Sequence, residues 1–310
     1  MVQADSVKPQ IIIVCGPTAS GKSSLAIEIA KILDTEVISA DSLAVYKKLD
    51  IGTAKPDKFE QKTVKHHLID VVEPTSKFSV SDFETLALPI VENLINQGKI
   101  PVICGGTGFY INSIIYKLSY GETKENLEVR NKYFNLYKNS GVDAVYDELK
   151  KVDPESCEKI HKNDVVRVIR ALEIFYATGK KKSQQCDKLI PRYSYLAVCP
   201  ELQREDLYNR IDSRVDIMLE RGLVEEVKSL ISMGIDKNYQ CMQGIGYKET
   251  YDSIINNSLD SLAELIKLNS RHYAKRQITF FKKLQGLKFV NSNPKIAVLE
   301  VLDYINGFNR

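Results

Sequence analysis

The sequence predicts an α/β fold, a parallel sheet flanked by helices and carrying a helical insertion. Three observations lead there. Short apolar runs at 10–15, 36–40 and 100–104 read as buried strands and alternate with helical stretches. Each run gives way to a loop suited to ligand binding at the carboxyl edge of a parallel sheet, opening at Gly16, Asp41 and Gly105. From about Gly121 the strand signal stops and amphipathic helices take over, until a strand-like stretch returns at 193–199. The expected organisation is a core of residues 1–120 and 196–310 and an insertion at 121–195.

Taken in order, the run 10–15 is a strand, followed by a glycine-rich turn and a helix whose apolar positions include Leu25, Ile29, Ile32 and Leu33. A helix at 81–97 precedes the strand at 100–104. The insertion offers helices at 129–139, 142–150 and 164–178. After 193–199 come helices over 204–233 and 261–283 and a last strand at 287–290. With 310 residues, 44% apolar and 27% charged, the chain has ordinary globular composition. The run 11–15 is far short of the roughly 20 residues of a membrane span, and no charged-then-apolar leader precedes it. A cytoplasmic protein with no membrane partner, acting as a monomer, is expected. The six cysteines, at 15, 104, 157, 186, 199 and 241, form no Cys-x-x-Cys pair, so neither a zinc site nor a disulfide framework is expected.

Between the first strand and its helix lies Gly16-Pro17-Thr18-Ala19-Ser20-Gly21-Lys22-Ser23, the eight-residue phosphate-binding loop in its proper strand–helix context. Its glycines let backbone amides turn toward an anion, and the helix behind adds its positive end. Lys22 would reach the phosphates and Ser23 would ligate Mg²⁺. The sheet is therefore P-loop NTPase-like. There is no Asn-Lys-x-Asp base-reading motif, and no convincing acid closes an apolar strand, so a GTPase and a motor ATPase are disfavoured while a small-molecule kinase stays open. Asp41, just past the second strand, is either a general base or a cap for the turn it opens. His66 and His67 point to opposite sides of a strand and read as structural.

Beyond the loop, Asp41-Ser42-Leu43-Ala44-Val-Tyr46, Asp50-Ile-Gly-Thr-Ala-Lys-Pro56, His66-His-Leu-Ile-Asp70, Gly105-Gly-Thr-Gly-Phe-Tyr110, Asn163-Asp164, Arg170-Ala-Leu-Glu173, Gly244-Ile-Gly-Tyr-Lys-Glu249 and Lys275-Arg-Gln-Ile-Thr279 stand in order along the chain. Together they closely resemble the bacterial tRNA dimethylallyltransferases, or tRNA isopentenyltransferases. The resemblance implies transfer of a dimethylallyl group from dimethylallyl diphosphate to the exocyclic amine of the adenosine 3′ of the anticodon, releasing diphosphate. It implies that Asp41 accepts the amine proton, that Thr18 hydrogen-bonds at the reaction centre, and that Lys22 and Arg214 stabilise the leaving diphosphate with Mg²⁺ on Ser23. The partner is tRNA, met at its anticodon stem-loop. Contacts are expected from Asp41, Ser42, Leu43, Ala44, Thr107 and Arg130, from Val166, Arg167, Val168, Ile169 and Arg170, and from Lys275, Arg276 and Gln277. The insertion would clamp the stem-loop.

The stretch 271–283 holds five basic residues and no acidic one, with Arg271, Lys275, Thr279 and Lys282 at helical spacing on one face and its aromatics expected toward the core. A net charge of +3 from 43 basic and 40 acidic residues would then hide a local positive surface around Arg130, 167–170 and 271–283. This chain departs from the family's common pattern at Leu43-Ala44, where Met-Gln is usual, at Lys48, where Gly is usual, and at Phe280 and Lys282, where Trp and Arg are usual. The alternatives are an adenylate isopentenyltransferase acting on free AMP, ADP or ATP, and a P-loop kinase of small molecules. The first needs no basic RNA track or clamping insertion.

Overall fold

The computed structural model describes residues 8–121, 126–185 and 189–308, so Cys186 lies outside the described residues. The chain divides into two compact units, Met1–Ile115 with Pro191–Arg310, and Tyr116–Ile190. The chain leaves the first unit earlier than its sequence suggests because Ile115 closes a helix of that unit, and its carbonyl accepts from the returning Arg192 N–H at 2.7 Å.

In chain order the first unit contains β1 (Ile11–Cys15), α1 (Lys22–Ile32), β2 (Val37–Ser39), α2 (Lys58–Thr63), β3 (His66–His67), α3 (Val80–Asn96), β4 (Val102–Gly105) and α4 (Gly108–Ile115). The second contains α5 (Leu127–Val152), α6 (Pro154–Cys157) and α7 (Val165–Thr178). The first resumes with β5 (Tyr195–Pro200), α8 (Arg204–Glu220), α9 (Leu223–Ser232), α10 (Tyr247–Ile255), α11 (Leu262–Phe281), β6 (Lys288–Val290) and α12 (Pro294–Asn306).

The six strands are all parallel, in the order β3-β2-β4-β1-β5-β6. β1 is central, with Ile12 opposite Val102 on one side and Leu196 on the other. A parallel sheet is covered on both faces, which is why β1 is apolar at every position instead of alternating. Ile12, Val14, Val102 and Val198 pack with Leu25 and Ile29 of α1 and Ala297 and Val301 of α12. Ile32 was expected on that face of α1, but it stands outside and is 51% exposed, while Leu33 packs at the rim. On the opposite face of the strands, Ile11, Ile13, Ile38 and Ile103 are equally buried. α8 and α11 meet through Leu207, Ile211 and Ala274, and Ala19 of the phosphate loop packs on that cluster.

The second unit has its own core of Tyr133, Val145, Leu149, Val168, Ile169 and Leu172. α5 is broken at Gly141, whose φ of 82° a side chain would resist, so the two helices expected there are real segments joined at a kink. Among the described residues, no helix is long and apolar enough to cross a membrane.

Candidate active site

Because all strands run the same way, the loops after β1, β2 and β4 gather at one edge of the sheet. Gly21, at φ 88°, turns the chain into α1 with no side chain capping the helix, so the first-turn amides keep their capacity for a ligand. Two cavities open at this edge. The smaller, about 90 Å³, is lined by Thr18, Lys22 and Ser23 of the loop, by Ser39, Asp41 and Ala44, by Lys55 and His66, and by Arg214 and Tyr273. The larger, about 350 Å³, has apolar walls from Leu43, Ile211, Val215, Met218, Ile245 and Ile266. Thr18, Asp41, Thr53, Arg214 and Tyr273 line both, so the cavities share one wall of five residues.

The phosphate loop divides its labour. Gly16, Pro17, Ala19, Ser20 and Gly21 do not line the smaller cavity. The Ser20 amide donates to Pro17 O at 3.3 Å and its hydroxyl is wholly buried. Lys22 Nζ bends back to Pro17 O at 3.2 Å. Burial pushes the Lys22 ammonium pKa down, and the Arg214 cation adds to the effect against the opposing pull of Asp41. Arg214 is lowered by burial as well. Two desolvated cations face one carboxylate, an arrangement that favours an incoming anion.

Asp41 caps a turn and also lines both cavities. Its Oδ1 accepts from Leu43 N at 2.9 Å and Ala44 N at 3.2 Å, closing the turn after β2. Among the described residues its second oxygen has no hydrogen bond, and the side chain lines both cavities. Ser42 N donates to Thr107 Oγ1 at 3.0 Å, tying this turn to the loop after β4. Ser42 and Leu43 line the larger cavity, whereas Ala44 is buried along the smaller.

α11 requires the most revision. Gln277, expected at the tRNA, is only 5% exposed. Its Oε1 accepts from Thr18 N at 2.9 Å and its Nε2 donates to Gly106 O at 3.0 Å, so it bridges two loops inside the protein. Tyr273 was expected to face the core and instead lines both cavities. Its phenol is pushed up to about 12 by burial and by the Asp41 charge, while Thr107 and Gln277 beside it pull the other way, so it is a hydrogen-bond donor at neutral pH. The helix spacing 273, 277, 281 was the signal: a tyrosine and a glutamine on the buried stripe need polar partners. Lys275 and Arg276 are exposed, Arg276 lying 5.6 Å from the Tyr273 ring and lining the larger cavity. Arg271, by contrast, is paired with Asp212, which shortens the basic stripe. His66, read as structural, lines the smaller cavity with its Nδ1 on Val64 O; His67 pairs with Glu36.

In the second unit, Val166 is 68% exposed and Arg167 sits at the surface beside Asp164. Val168 and Ile169 are core residues of that unit, so their side chains are not tRNA contacts. Arg130 and Arg170 converge on the buried carboxylate of Glu173, which also accepts from Asn126 N.

Fold and site define a class: a P-loop NTPase-like α/β protein whose phosphate cradle shares a wall with an apolar chamber. Residues 44–284 match the IPP transferase family, and the chain belongs to it. The tRNA dimethylallyltransferase of Acetivibrio thermocellus is 46% identical over 287 residues, covering 91% of this chain and 92% of the relative. That of Bacillus cereus is 41% identical over 97% of this chain and 95% of the relative. Among solved structures, the tRNA isopentenylpyrophosphate transferase of Bacillus halodurans superposes with a TM-score of 0.72 at 38% identity, covering 96% of this chain and 95% of that one. A eukaryotic dimethylallyltransferase acting on tRNA reaches a TM-score of 0.82 at 31% identity, over 96% of this chain and 79% of that one.

Proposed function

We propose that this chain modifies tRNA by transferring a dimethylallyl group from dimethylallyl diphosphate to the exocyclic amine of the adenosine 3′ of the anticodon. The observation that carries it is the shared wall of the two cavities. A diphosphate in the smaller cavity would meet Lys22, Arg214 and the first-turn amides of α1. Its five-carbon chain and the acceptor base suit the apolar larger cavity, and the reacting atoms then fall at the wall, beside Asp41 and Thr18.

As the amine nitrogen bonds to the allylic carbon, the carbon–oxygen bond breaks and its electron pair leaves on the diphosphate. The nitrogen's surplus proton passes to Asp41. Lys22 and Arg214 stabilise the charge that develops on the leaving oxygens, and Thr18 supplies a hydroxyl at the same place. The acceptor adenosine leaves its stack to reach the chamber. Mg²⁺ fits as a diphosphate-borne ion. Among the described residues no cluster of three His, Cys, Asp or Glu could hold a metal, but Ser23 lines the cavity, and its hydroxyl would be the single protein ligand that a hard, largely hydrated cation needs. When bound, the ion would screen the diphosphate's charge. Arg130, Arg167 and Arg170 of the second unit, with Lys275 and Arg276, would contact the anticodon stem-loop.

The test is incubation of the purified protein with Mg²⁺ and labelled dimethylallyl diphosphate, with unmodified tRNA, AMP or ADP in parallel. Label on tRNA at the adenosine 3′ of the anticodon is expected. Label confined to the free nucleotide would sink the tRNA reading.

A further inference from the structure

Two sequence segments, Asp50-Ile-Gly-Thr-Ala-Lys-Pro56 and Gly244-Ile-Gly-Tyr-Lys-Glu249, line the cavities but were given no step in the chemistry above, and the structure joins them through a residue outside both. Glu226 lies in the first turn of α9 and reaches across to the loop at 50–54. Its Oε2 accepts from Asp50 N and Ile51 N, both at 2.9 Å, and its Oε1 accepts from Gly52 N at 3.2 Å and from the Tyr247 hydroxyl at 2.6 Å. Three consecutive amides converging on one point form a concavity that binds anions, and the protein fills this one with its own carboxylate. Tyr247 is wholly buried with its ring against Gly52, where a Cβ would stand 2.5 Å from a ring carbon. Only glycine lets the loop approach this closely.

The next residue is Thr53. Its hydroxyl donates to Leu49 O at 2.6 Å, and its carbonyl accepts from Arg214 Nη2 at 3.1 Å. Among the described residues, that is the hydrogen bond that sets the direction of the Arg214 guanidinium. On the far side of the loop, Lys55, its side chain 4% exposed, donates to Tyr46 O at 2.5 Å and pairs with Asp50 and Asp70. The loop is thus held on two sides, and between them the Thr53 carbonyl meets Arg214 where Thr53 lines both cavities.

We propose that Glu226, assisted by Tyr247, is a positioning residue for the transfer: by gathering the 50–52 amides it fixes the Thr53 carbonyl and so aims Arg214 at the leaving diphosphate. This rests on the reading of Arg214 as the diphosphate's grip. Glu226 touches no substrate and acts only through the loop and the arginine.

The experiment is a double-mutant cycle on the full chain, combining Glu226→Gln with Arg214→Ala, with kcat and KM measured for both substrates. Glu226→Gln keeps size and shape but turns an amide donor toward backbone donors. On its own it is expected to lower kcat/KM for dimethylallyl diphosphate by about 10²-fold, the scale of a misplaced catalytic group, and to leave the KM for tRNA unchanged. In the Arg214→Ala background it is expected to cost little more. Tyr247→Phe, which removes one donor and keeps the ring, should show the same pattern with a smaller loss, and it serves if Glu226→Gln does not fold. Losses that multiply in the double variant, or an equal rise in the KM for tRNA, would overturn the positioning role while leaving the reading of Arg214 intact. Full transfer by Arg214→Ala would overturn both.

Discussion

The two oxygens of Asp41 separate what the sequence left undivided. One closes the turn after β2, the other has no hydrogen bond among the described residues, and the side chain lines both cavities. Asn is as good a cap as Asp but no base, so Asp41→Asn should abolish transfer while diphosphate binding, read by calorimetry, and the melting temperature stay near those of the parent. Asp41→Ala should also lose the cap, about 1 kcal/mol of stability. Lys22 offers a pH test. Its folded pKa is lowered from 10.5 by burial, so the unliganded protein gives up this proton earlier than the unfolded chain does. A bound diphosphate favours the charged form, and affinity should therefore fall as pH rises through the lowered value, with proton uptake measurable in buffers of different ionisation enthalpy. Lys22→Arg should flatten that limb. Lys48, where the resemblance led us to expect glycine, holds φ at 65°. Relief of that strain exceeds the added entropy of the unfolded chain, so Lys48→Gly should raise stability by up to about 1 kcal/mol, seen as a higher denaturant midpoint at constant slope.

Helices set the limits of what the sequence showed. In α7 the apolar spacing was plain, but the role of its buried acid was not, because only tertiary structure brings Asn126 N and two guanidiniums to Glu173. Burial alone would raise the Glu173 pKa; the Asn126 amide, Arg130 and Arg170 reverse that and lower it below 4.5. The stability it confers is complete above pH 4.5 and is lost as pH falls through the depressed value. Glu173→Gln should cost about 3 kcal/mol and remove that acid dependence, as followed by urea unfolding at several pH values. In α11 the basic face was legible from spacing, and the buried stripe of Tyr273 and Gln277 was equally present in the letters. The partners that give those residues meaning, Thr18 and Gly106, are distant in sequence and were not.

Over the whole molecule, the sheet and its glycine loops were legible because parallel strands leave continuous apolar runs. α4, α10 and α12 were not read from the sequence, although α1, at 11 residues, was. The near-neutral charge of +3 conceals less free positive surface than a count of arginines suggests, because Arg271 pairs with Asp212, and Arg130 and Arg170 share Glu173. Lys275, Arg276, Lys282 and Lys283 stay exposed along the end of α11 and beyond it. If these four meet phosphates, they alone should contribute about −3 to the slope of log affinity for tRNA against log salt, and Lys282→Ala with Lys283→Ala should reduce that contribution by about 1.5. Fluorescence anisotropy across a salt series measures both.

The central place of β1 has a consequence for biosynthesis. β4, its neighbour on one side, is complete at Gly105, but β5, its neighbour on the other, is complete only at Pro200. At roughly 5–20 residues per second a ribosome needs about 5–20 s to make the intervening stretch. Throughout that interval the nascent chain carries Ile-Ile-Ile-Val-Cys with one bare hydrogen-bonding edge. The strand that ends in the phosphate loop is therefore open to pairing with another chain until β5 is made.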